Sequence, residues 1–544
     1  MSLKEEVNTS NRQKLILLTF LCSVLLITIS LFFTQKIRPF NSDDTSWQVI
    51  LSNWQPFSKQ IAFMGSKDNF IINAPFIYII NTLLGNSRST LFIESLILTY
   101  LNFGFFYFSA IYILKKCKIK INFYILLPFI WLASFGSYFN SLLLNPNWRI
   151  PEIGLMFVFY VLGLKLYYHE INPLKSRLNI VISILVIILS GLLVYSDNYF
   201  LYFGLIPILA TYLVLLFLKR IDKKIIAIAL LTIVTSILIS SLLRALVARI
   251  GLISPGPLLV VPISLKSLNI NFDNAVKSLL YIFGAYAIKP STSLLFNFSI
   301  FLNFLLISII PLIFIYVFLY YKYPIKIIKY KKTTIQPKTL LISLFSIVGI
   351  FDFIAYMLVD GGTMNSYRYL IIIVFSYIVL LSIGISKVKK GQIYIAILML
   401  MGIAINLLFS FYTTENLNSA AINNSPNQSN IKLINLIKKN HLIKGYANYW
   451  NSNINNYLSN GSISIMPIAC VQGLSKPDYL LDTKNNFQQK VNSSFYLINP
   501  SLTTPVSCTY QQVIDQFGKP KKTIRYQNQF ILVYPYDLID KMPT

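Results

Sequence analysis

Two adjacent carboxylates, Asp43 and Asp44 in the run NSDDTSWQ, are the first residues with chemistry to offer. On a helix, neighbouring acids point in different directions. In a loop they can share one task or divide two. One can act as general base on a hydroxyl while the other positions the loop or holds a metal ion. The plainer reading is a solvated pair, or an N-cap for a helix over 45–51. Asp197, in the short run SDNYF, either caps the next helix in an Asx turn or faces the same cavity as Asp43. Asp352 falls inside an apolar stretch, where an acid is costly unless it faces protein or water. It either lines a cavity or bonds a neighbouring helix. Glu152 follows Pro151 and suits the positive end of a helix dipole, with a cavity-lining role as the alternative.

Four arginines stand at the ends of apolar stretches: Arg149, Arg244, Arg249 and Arg368. A guanidinium can bond two phosphate oxygens at once, so each is a candidate for binding a lipid phosphate. Each can equally snorkel to lipid headgroups. Arg149 in NWRIPE and Arg368 in NSYRYL have polar or aromatic flanks and are the better candidates.

The elements that must position these residues follow from composition. Of 544 residues, 55% are hydrophobic and 12% charged, with a mean hydropathy of +0.62. Soluble domains carry about 25% charged residues. The apolar residues come in long blocks, and a helix of about 20 such residues crosses a bilayer with its backbone satisfied internally. About eleven blocks meet that length. They cover 15–33, 91–114, 123–144, 153–168, 178–195, 200–218, 225–243, 295–320, 340–358, 369–385 and 393–411. The segment 70–84 carries Pro75 and is too short to span, so it reads as an interfacial helix.

Charge gives this chain a direction. With Arg12 and Lys14 in the cytoplasm, every even connection is also cytoplasmic. Those connections contain Lys115–Lys120, Lys175 with Arg177, Lys219–Lys224, the 322–338 stretch and Lys387–Lys390. All are basic, as the positive-inside rule requires. The net charge of +28 is therefore explained by topology, and nucleic-acid binding is not expected. The odd connections, 34–90, 145–152, 196–198, 244–293 and 360–368, collect acids, Trp, Asn and single arginines. They have the character of a site on the non-cytoplasmic face.

The chain then divides into a membrane domain over 1–412, with a first outside loop at 34–90, and a polar region over 413–544 of about one domain in size. Amphipathic periodicity predicts helices over 431–439 and 510–517. Alternating or β-rich runs predict strands over 462–470, 494–498 and 530–536. The reading is a small extracytoplasmic α/β domain. Cys470 and Cys508 share it, and that compartment permits a disulfide. With two histidines and no CxxC spacing, a zinc site is not expected. There is no Gly-rich phosphate loop, so a soluble nucleotide-sugar enzyme is excluded as well.

Taken together, a first span, an acidic pair in the first outside loop, interfacial helices, many further spans and an outside α/β domain resemble the GT-C superfamily of membrane glycosyltransferases. Bacterial members of the protein O-mannosyltransferase and aminoarabinose-transferase type have this plan. The tail segment GYANYWNSNINNYLSNG, Gly445–Gly461, also resembles one in the outside domains of bacterial members. The resemblance implies a polyprenyl-phosphate-linked sugar donor, an acceptor hydroxyl on a glycan, lipid or protein, and inversion at the sugar. It places the base at Asp43 or Asp44, where the family often has an Asp–Glu or Glu–Asp pair. A divalent cation (Mg or Mn) is optional, and Asp43 or Asp44 would hold it. The competing readings are a transporter for a lipid-linked glycan and a non-catalytic membrane scaffold. Against the transporter, the chain has no paired repeats and no matching interrupted spans.

Overall fold

The computed structural model describes residues 3–53, 62–63, 71–134, 137–147, 150–168, 177–217, 221, 223–249, 252–253, 265–286, 294–320, 337–358, 370–420, 427–478, 490–500 and 507–543. Its first part is helical. In chain order the helices are α1 (Leu3–Ile37), α2 (Ser46–Asn53), α3 (Ala74–Leu84), α4 (Arg88–Lys116), α5 (Phe123–Ala133), α6 (Ser137–Leu143), α7 (Ile150–Tyr168), α8 (Arg177–Ser196), α9 (Ile206–Phe217), α10 (Lys223–Arg249), α11 (Leu265–Ile282), α12 (Leu294–Tyr320), α13 (Pro337–Leu358), α14 (Ile371–Ile385) and α15 (Gln392–Ala420). Among the described residues, four stretches are long and apolar enough to cross a membrane: Ser10–Lys36, Arg88–Lys116, Lys223–Arg249 and Leu340–Leu358. Shorter apolar helices, Ile371–Ile385 among them, pack between them. Leucines on the outer face of α1 are open, with Leu21 54% and Leu25 59% exposed. Such a face suits lipid, and the chain is an integral membrane protein.

Three details depart from the sequence expectation. The block over 123–144 is not one helix. It breaks after Ala133, where the Ser134 hydroxyl donates to the Trp131 carbonyl at 2.8 Å and offers the backbone an alternative to the next helical bond. The block over 200–218 opens with a π-helical turn, Leu201–Leu205, just before Pro207 in α9. Proline has no N–H to give, and a wider turn accommodates it. The stretch 244–293, read as a connection, contains the end of α10 and all of α11. Arg244 and Arg249 therefore lie on a helix. Helix α11 is tied to α13 by Asn271, which donates to the Met357 carbonyl at 2.9 Å, and by a Ser278–Tyr356 hydroxyl pair at 3.3 Å. The interfacial segment does form a helix, α3, with Pro75 in its first turn. It buries Ala74, Ile77 and Ile80 and leaves Tyr78, Ile79, Leu83 and Leu84 open.

Helix α15 continues through Ala420, past the domain boundary expected at 412. Beyond it the chain forms α16 (Gln428–Lys439), α17 (Tyr449–Leu458) and α18 (Tyr510–Phe517) around a six-stranded sheet. A two-residue parallel bridge between β1 (Ala62–Phe63) and β2 (Leu252–Ile253) precedes that sheet in the chain. The sheet strands are β3 (Lys444–Asn448), β4 (Ser464–Val471), β5 (Leu474–Pro477), β6 (Ser494–Ile498), β7 (Lys522–Tyr526) and β8 (Gln529–Tyr534), in the order β5-β4-β3-β6-β8-β7. Strand β3 runs parallel to β4 and β6, and the remaining pairs are antiparallel. Side-chain alternation builds the two faces. Phe495 and Leu497 pack under α16 with Leu433, Ile434 and Ile437. Tyr496 and Ile498 pack under α18 with Val513 and Phe517. Strand β3 is pinned by a buried Lys444–Asp537 ion pair at 3.0 Å.

Cys470 on β4 is bonded to Cys508, with Cα atoms 5.0 Å apart. The bridge closes a 38-residue separation, which in the chain-entropy view is about 4 kcal/mol of stabilisation. The double change Cys470→Ser, Cys508→Ser is expected to lower the unfolding midpoint of this domain measurably. Reductant should lower the wild-type midpoint and leave the variant's unmoved.

Candidate active site

The acidic pair sits where α1 gives way to the first loop. The last helical bond runs from the Arg38 amide to the Thr34 carbonyl at 2.9 Å. The chain then turns back on itself in one 3-10 turn, Asp43–Thr45, which leads into α2. Asp44 is wholly buried. Both of its carboxylate oxygens accept from the Arg38 guanidinium at 3.0 Å, a two-pronged pair. The Asn41 amide adds a third bond to Asp44 Oδ2 at 2.8 Å, and Asn41 Oδ1 accepts from the Asp44 amide. Burial pushes the Asp44 carboxyl above its ordinary value, while Arg38 and the Asn41 bond pull the other way. Asp44 thus serves the shape of the loop. With both oxygens committed to Arg38, it is poorly placed to hold a metal ion or take a proton.

Asp43 is oriented differently. It is only part-buried. Its Oδ1 accepts from the Tyr449 hydroxyl at 2.8 Å, and its main-chain carbonyl accepts from Asn147 Nδ2 at 3.0 Å. Among the described residues, Asp43 Oδ2 has no partner. Burial first, then the Asp43 charge, push the Tyr449 hydroxyl well above its ordinary value of 10.0. Tyr449 therefore stays a proton donor across the working pH range. The pair is a carboxylate with one oxygen held by a permanent donor and one oxygen open. That is the arrangement a general base needs: fixed in direction, with a free lone pair for the incoming proton.

Tyr449 comes from the C-terminal domain, at the start of α17. The Asn448 side chain caps that helix by accepting from the Asn451 amide. Helix α17 rests on the first loop. Phe40 and Asn427 exchange two hydrogen bonds of 3.0 and 2.8 Å. Ser42 Oγ accepts from the Ile454 amide at 3.4 Å, and the Tyr457 hydroxyl bridges the amide and carbonyl of Ser87 at 3.1 and 3.0 Å. Phe40, Val49, Leu91, Ile454 and Tyr457 form the apolar seam between the two. The domain therefore contributes a side chain to the site.

The other candidates sort as follows. Glu152, buried at the start of α7, accepts from the Ser196 hydroxyl at 2.7 Å, and Ser196 Oγ in turn accepts from the Ile72 amide at 3.5 Å. This ties the 71–73 turn to α7 and α8, a bracing role near the loop. Asp197 is buried and accepts from the Tyr199 amide at 2.9 Å, which is the Asx-type cap. Asp352 is buried within α13. Arg244 lies on α10 beside Tyr195, whose hydroxyl feels its charge. Among the described residues its buried Nε has no hydrogen-bond partner. Val247, one turn further and on the same side of the helix, packs with Trp47, Ile50, Ala74 and Ile77. That contact brings the Arg244 turn to the same end of the bundle as the acidic loop. Arg249 is exposed at the tip of α10. Arg149 and Arg368 lie outside the described residues. Among the described residues no cluster of three or more His, Cys, Asp or Glu side chains forms.

Reasoning from sequence alone missed three contributors: Arg38, Asn147 and Tyr449. Each lay in a segment already singled out for another reason. Their roles depend on contacts across 6, 104 and 406 residues of chain, which no local pattern reports.

No family model and no curated protein sequence matches this chain. Solved structures do. The aminoarabinose transferase ArnT of Cupriavidus metallidurans in its apo state superposes with a TM-score of 0.53 at 10% identity, covering 95% of this chain and 97% of that one. The same protein bound to undecaprenyl phosphate gives 0.51 at 10% identity with the same coverage. The oligosaccharyltransferase of Archaeoglobus fulgidus gives 0.47 at 14% identity, covering 83% of this chain and 62% of that one. The chain thus has the fold of ArnT over 95% of its length.

Two substitutions test this geometry. Arg38→Ala leaves a buried carboxylate unpaired and is expected to destabilise the protein by about 3–5 kcal/mol. A thermal or denaturant melt of the detergent-solubilised chain reads that loss, and Arg38→Lys should recover only part of it. Tyr449→Phe removes one donor from Asp43 and nothing from the loop. Its melt should stay within about 1 kcal/mol of wild type.

Proposed function

We propose that the protein is a GT-C glycosyltransferase. In this reading it moves a sugar from a polyprenyl-phosphate-linked donor to an acceptor hydroxyl on the non-cytoplasmic face of the membrane. The observation that carries the proposal is Asp43: a carboxylate held by Tyr449 and by the rigid Arg38–Asp44 loop, with Oδ2 open, in a chain with the ArnT fold over 95% of its length. The bound undecaprenyl phosphate of the ArnT structure supports a polyprenyl phosphate as the lipid carrier here.

In the reaction, Asp43 takes the proton from the acceptor hydroxyl. The oxygen attacks the anomeric carbon from the face opposite the phosphate, and the C–O bond to the lipid phosphate breaks. Inversion follows from that displacement. The departing phosphate needs cationic donors aimed at its developing charge. Arg244 is the described candidate, since its Nε is buried, has no partner among the described residues, and lies at the right end of the bundle. Arg149, Arg249 and Arg368 are further candidates from the sequence. A divalent cation, if one is used, has Asp43 Oδ2 rather than Asp44 as its available carboxylate.

The basic even connections support an arrangement of eleven spans, with the N-terminus cytoplasmic and the C-terminal domain outside. The exposed face of α3 suits an interfacial position beside the site. The acceptor is a hydroxyl on a glycan, lipid or protein.

Transfer assays on the full chain in lipid, with radiolabelled polyprenyl-phosphate sugars and candidate acceptors, test the assignment. Asp43→Asn should lower kcat by about 10²–10⁴-fold, the usual range for a lost general base, with donor binding intact. Full activity in Asp43→Asn would remove the base from this account.

A further inference from the structure

A second carboxyl lies beneath the acidic loop, and nothing in the reaction above uses it. Glu94 is in α4, two turns inside its start, and is wholly buried. Its Oε2 accepts from Gln48 Nε2 at 2.6 Å. Gln48, on α2, is 1% exposed. Its Oε1 accepts from Asn147 Nδ2 at 2.9 Å, and the same Nδ2 donates to the Asp43 carbonyl at 3.0 Å. A continuous line of hydrogen bonds thus runs Glu94, Gln48, Asn147, Asp43. It joins α4, α2 and the 145–147 turn to the peptide group that carries the Asp43 side chain.

The direction of the line is set at the Glu94 end. An amide side chain can turn over and exchange its oxygen for its nitrogen at almost no cost in shape. Glu94 Oε2 accepts at Gln48 whether the carboxyl is ionised or carries its proton on Oε1, and that removes the freedom. With Nε2 turned toward Glu94, Gln48 must show Oε1 to Asn147. Asn147 must then show Nδ2, and the Asp43 carbonyl receives its donor. If Gln48 were reversed, its Oε1 would oppose Glu94 Oε2 and its Nε2 would oppose Asn147 Nδ2; turning Asn147 over to relieve the second clash would set Asn147 Oδ1 against the Asp43 carbonyl and remove its main-chain anchor. The line does not carry protons, because two neutral amides lie in its path. Its capacity is orientation.

The setting argues against simple filler. Among the described residues the buried Glu94 Oε1 has no partner, so the carboxyl is costly where it stands. An apolar residue would fill the volume without that cost. What it could not do is fix the Gln48 amide.

We infer that Glu94 is a positioning residue for Asp43, acting through Gln48 and Asn147. The inference rests on the reading of Asp43 as the base. Its test therefore uses one readout that needs no reaction. In the full chain in lipid nanodiscs, hydrogen–deuterium exchange over residues 38–48 and single-turnover sugar transfer are measured for Glu94→Leu, Glu94→Gln, Gln48→Leu and the double change Glu94→Leu, Gln48→Leu. Glu94→Gln puts at this end an amide that can itself turn over, so it no longer fixes the direction of the line and should fall between wild type and Glu94→Leu in both readouts. Glu94→Leu should exchange faster over 38–48 and lose about ten- to a hundredfold in the single-turnover rate constant, with the half-saturating donor concentration little changed, the mark of a misdirected base. Gln48→Leu should behave alike, and the double variant should lose no more than either single one. Unchanged exchange in Glu94→Leu overturns the inference whatever the activity. Faster exchange with undiminished transfer overturns it too, as do additive losses in the double variant. Full transfer by Asp43→Asn is the separate result that removes the base assignment itself.

Discussion

The Arg38–Asp44 ion pair is the contact on which the rest of the site depends. It forms at the point where α1 ends, and it turns the chain so that the next residues start α2 rather than run away from the bundle. A buried carboxylate and a guanidinium with only 19% exposure are stable together and costly apart. That asymmetry makes the loop stiff. Because Asp44 is spent on the loop, its neighbour is left to face outward with one oxygen free. Two chemically identical residues side by side acquire separate tasks from their surroundings alone.

The C-terminal domain is the second constraint. It is joined to α15 by the segment 421–426 and touches the first loop through α17. An apolar seam and a few hydrogen bonds fix that contact, and its consequence is a tyrosine hydroxyl on the proposed base. The placement gives the domain a reason to be covalently part of this chain. It helps build the site rather than trailing behind it.

Much of the architecture was legible in the sequence because membrane helices report themselves by length and apolarity. The helices α1, α4, α7, α8, α10, α12, α13, α14 and α15 lie where apolar blocks fell, and α16 and α18 follow a clear amphipathic period. The sheet strands β4, β6 and β8 carried alternating or β-branched runs. What stayed hidden has physical causes. Helix α17 reads YWNSNINNYL, whose asparagines have poor helix propensity; it exists because Asn448 caps it and Ile454 and Tyr457 pack down on the loop. The break after Ala133 is marked by the Ser134 hydroxyl and amide, both bonded to the Trp131 carbonyl, which the apolar pattern does not report. Helix α11, polar along one face, blended into what resembled a connection. At the site, the acidic pair stood out at once, but adjacency could not say which carboxylate would be tied down. That depended on Arg38, six residues earlier, and on a tyrosine from another domain.

The measurement that bears most directly on the central claim is a cryo-EM structure of the full chain in nanodiscs with an unreactive polyprenyl-phosphate sugar analogue. The account predicts the sugar on the Oδ2 side of Asp43, its anomeric carbon separated from that oxygen by the space of one acceptor hydroxyl. The phosphate should lie beyond the sugar, toward the Arg244 end of α10. A donor headgroup bound at the opposite end of the bundle, or with its phosphate against Asp43, would contradict it.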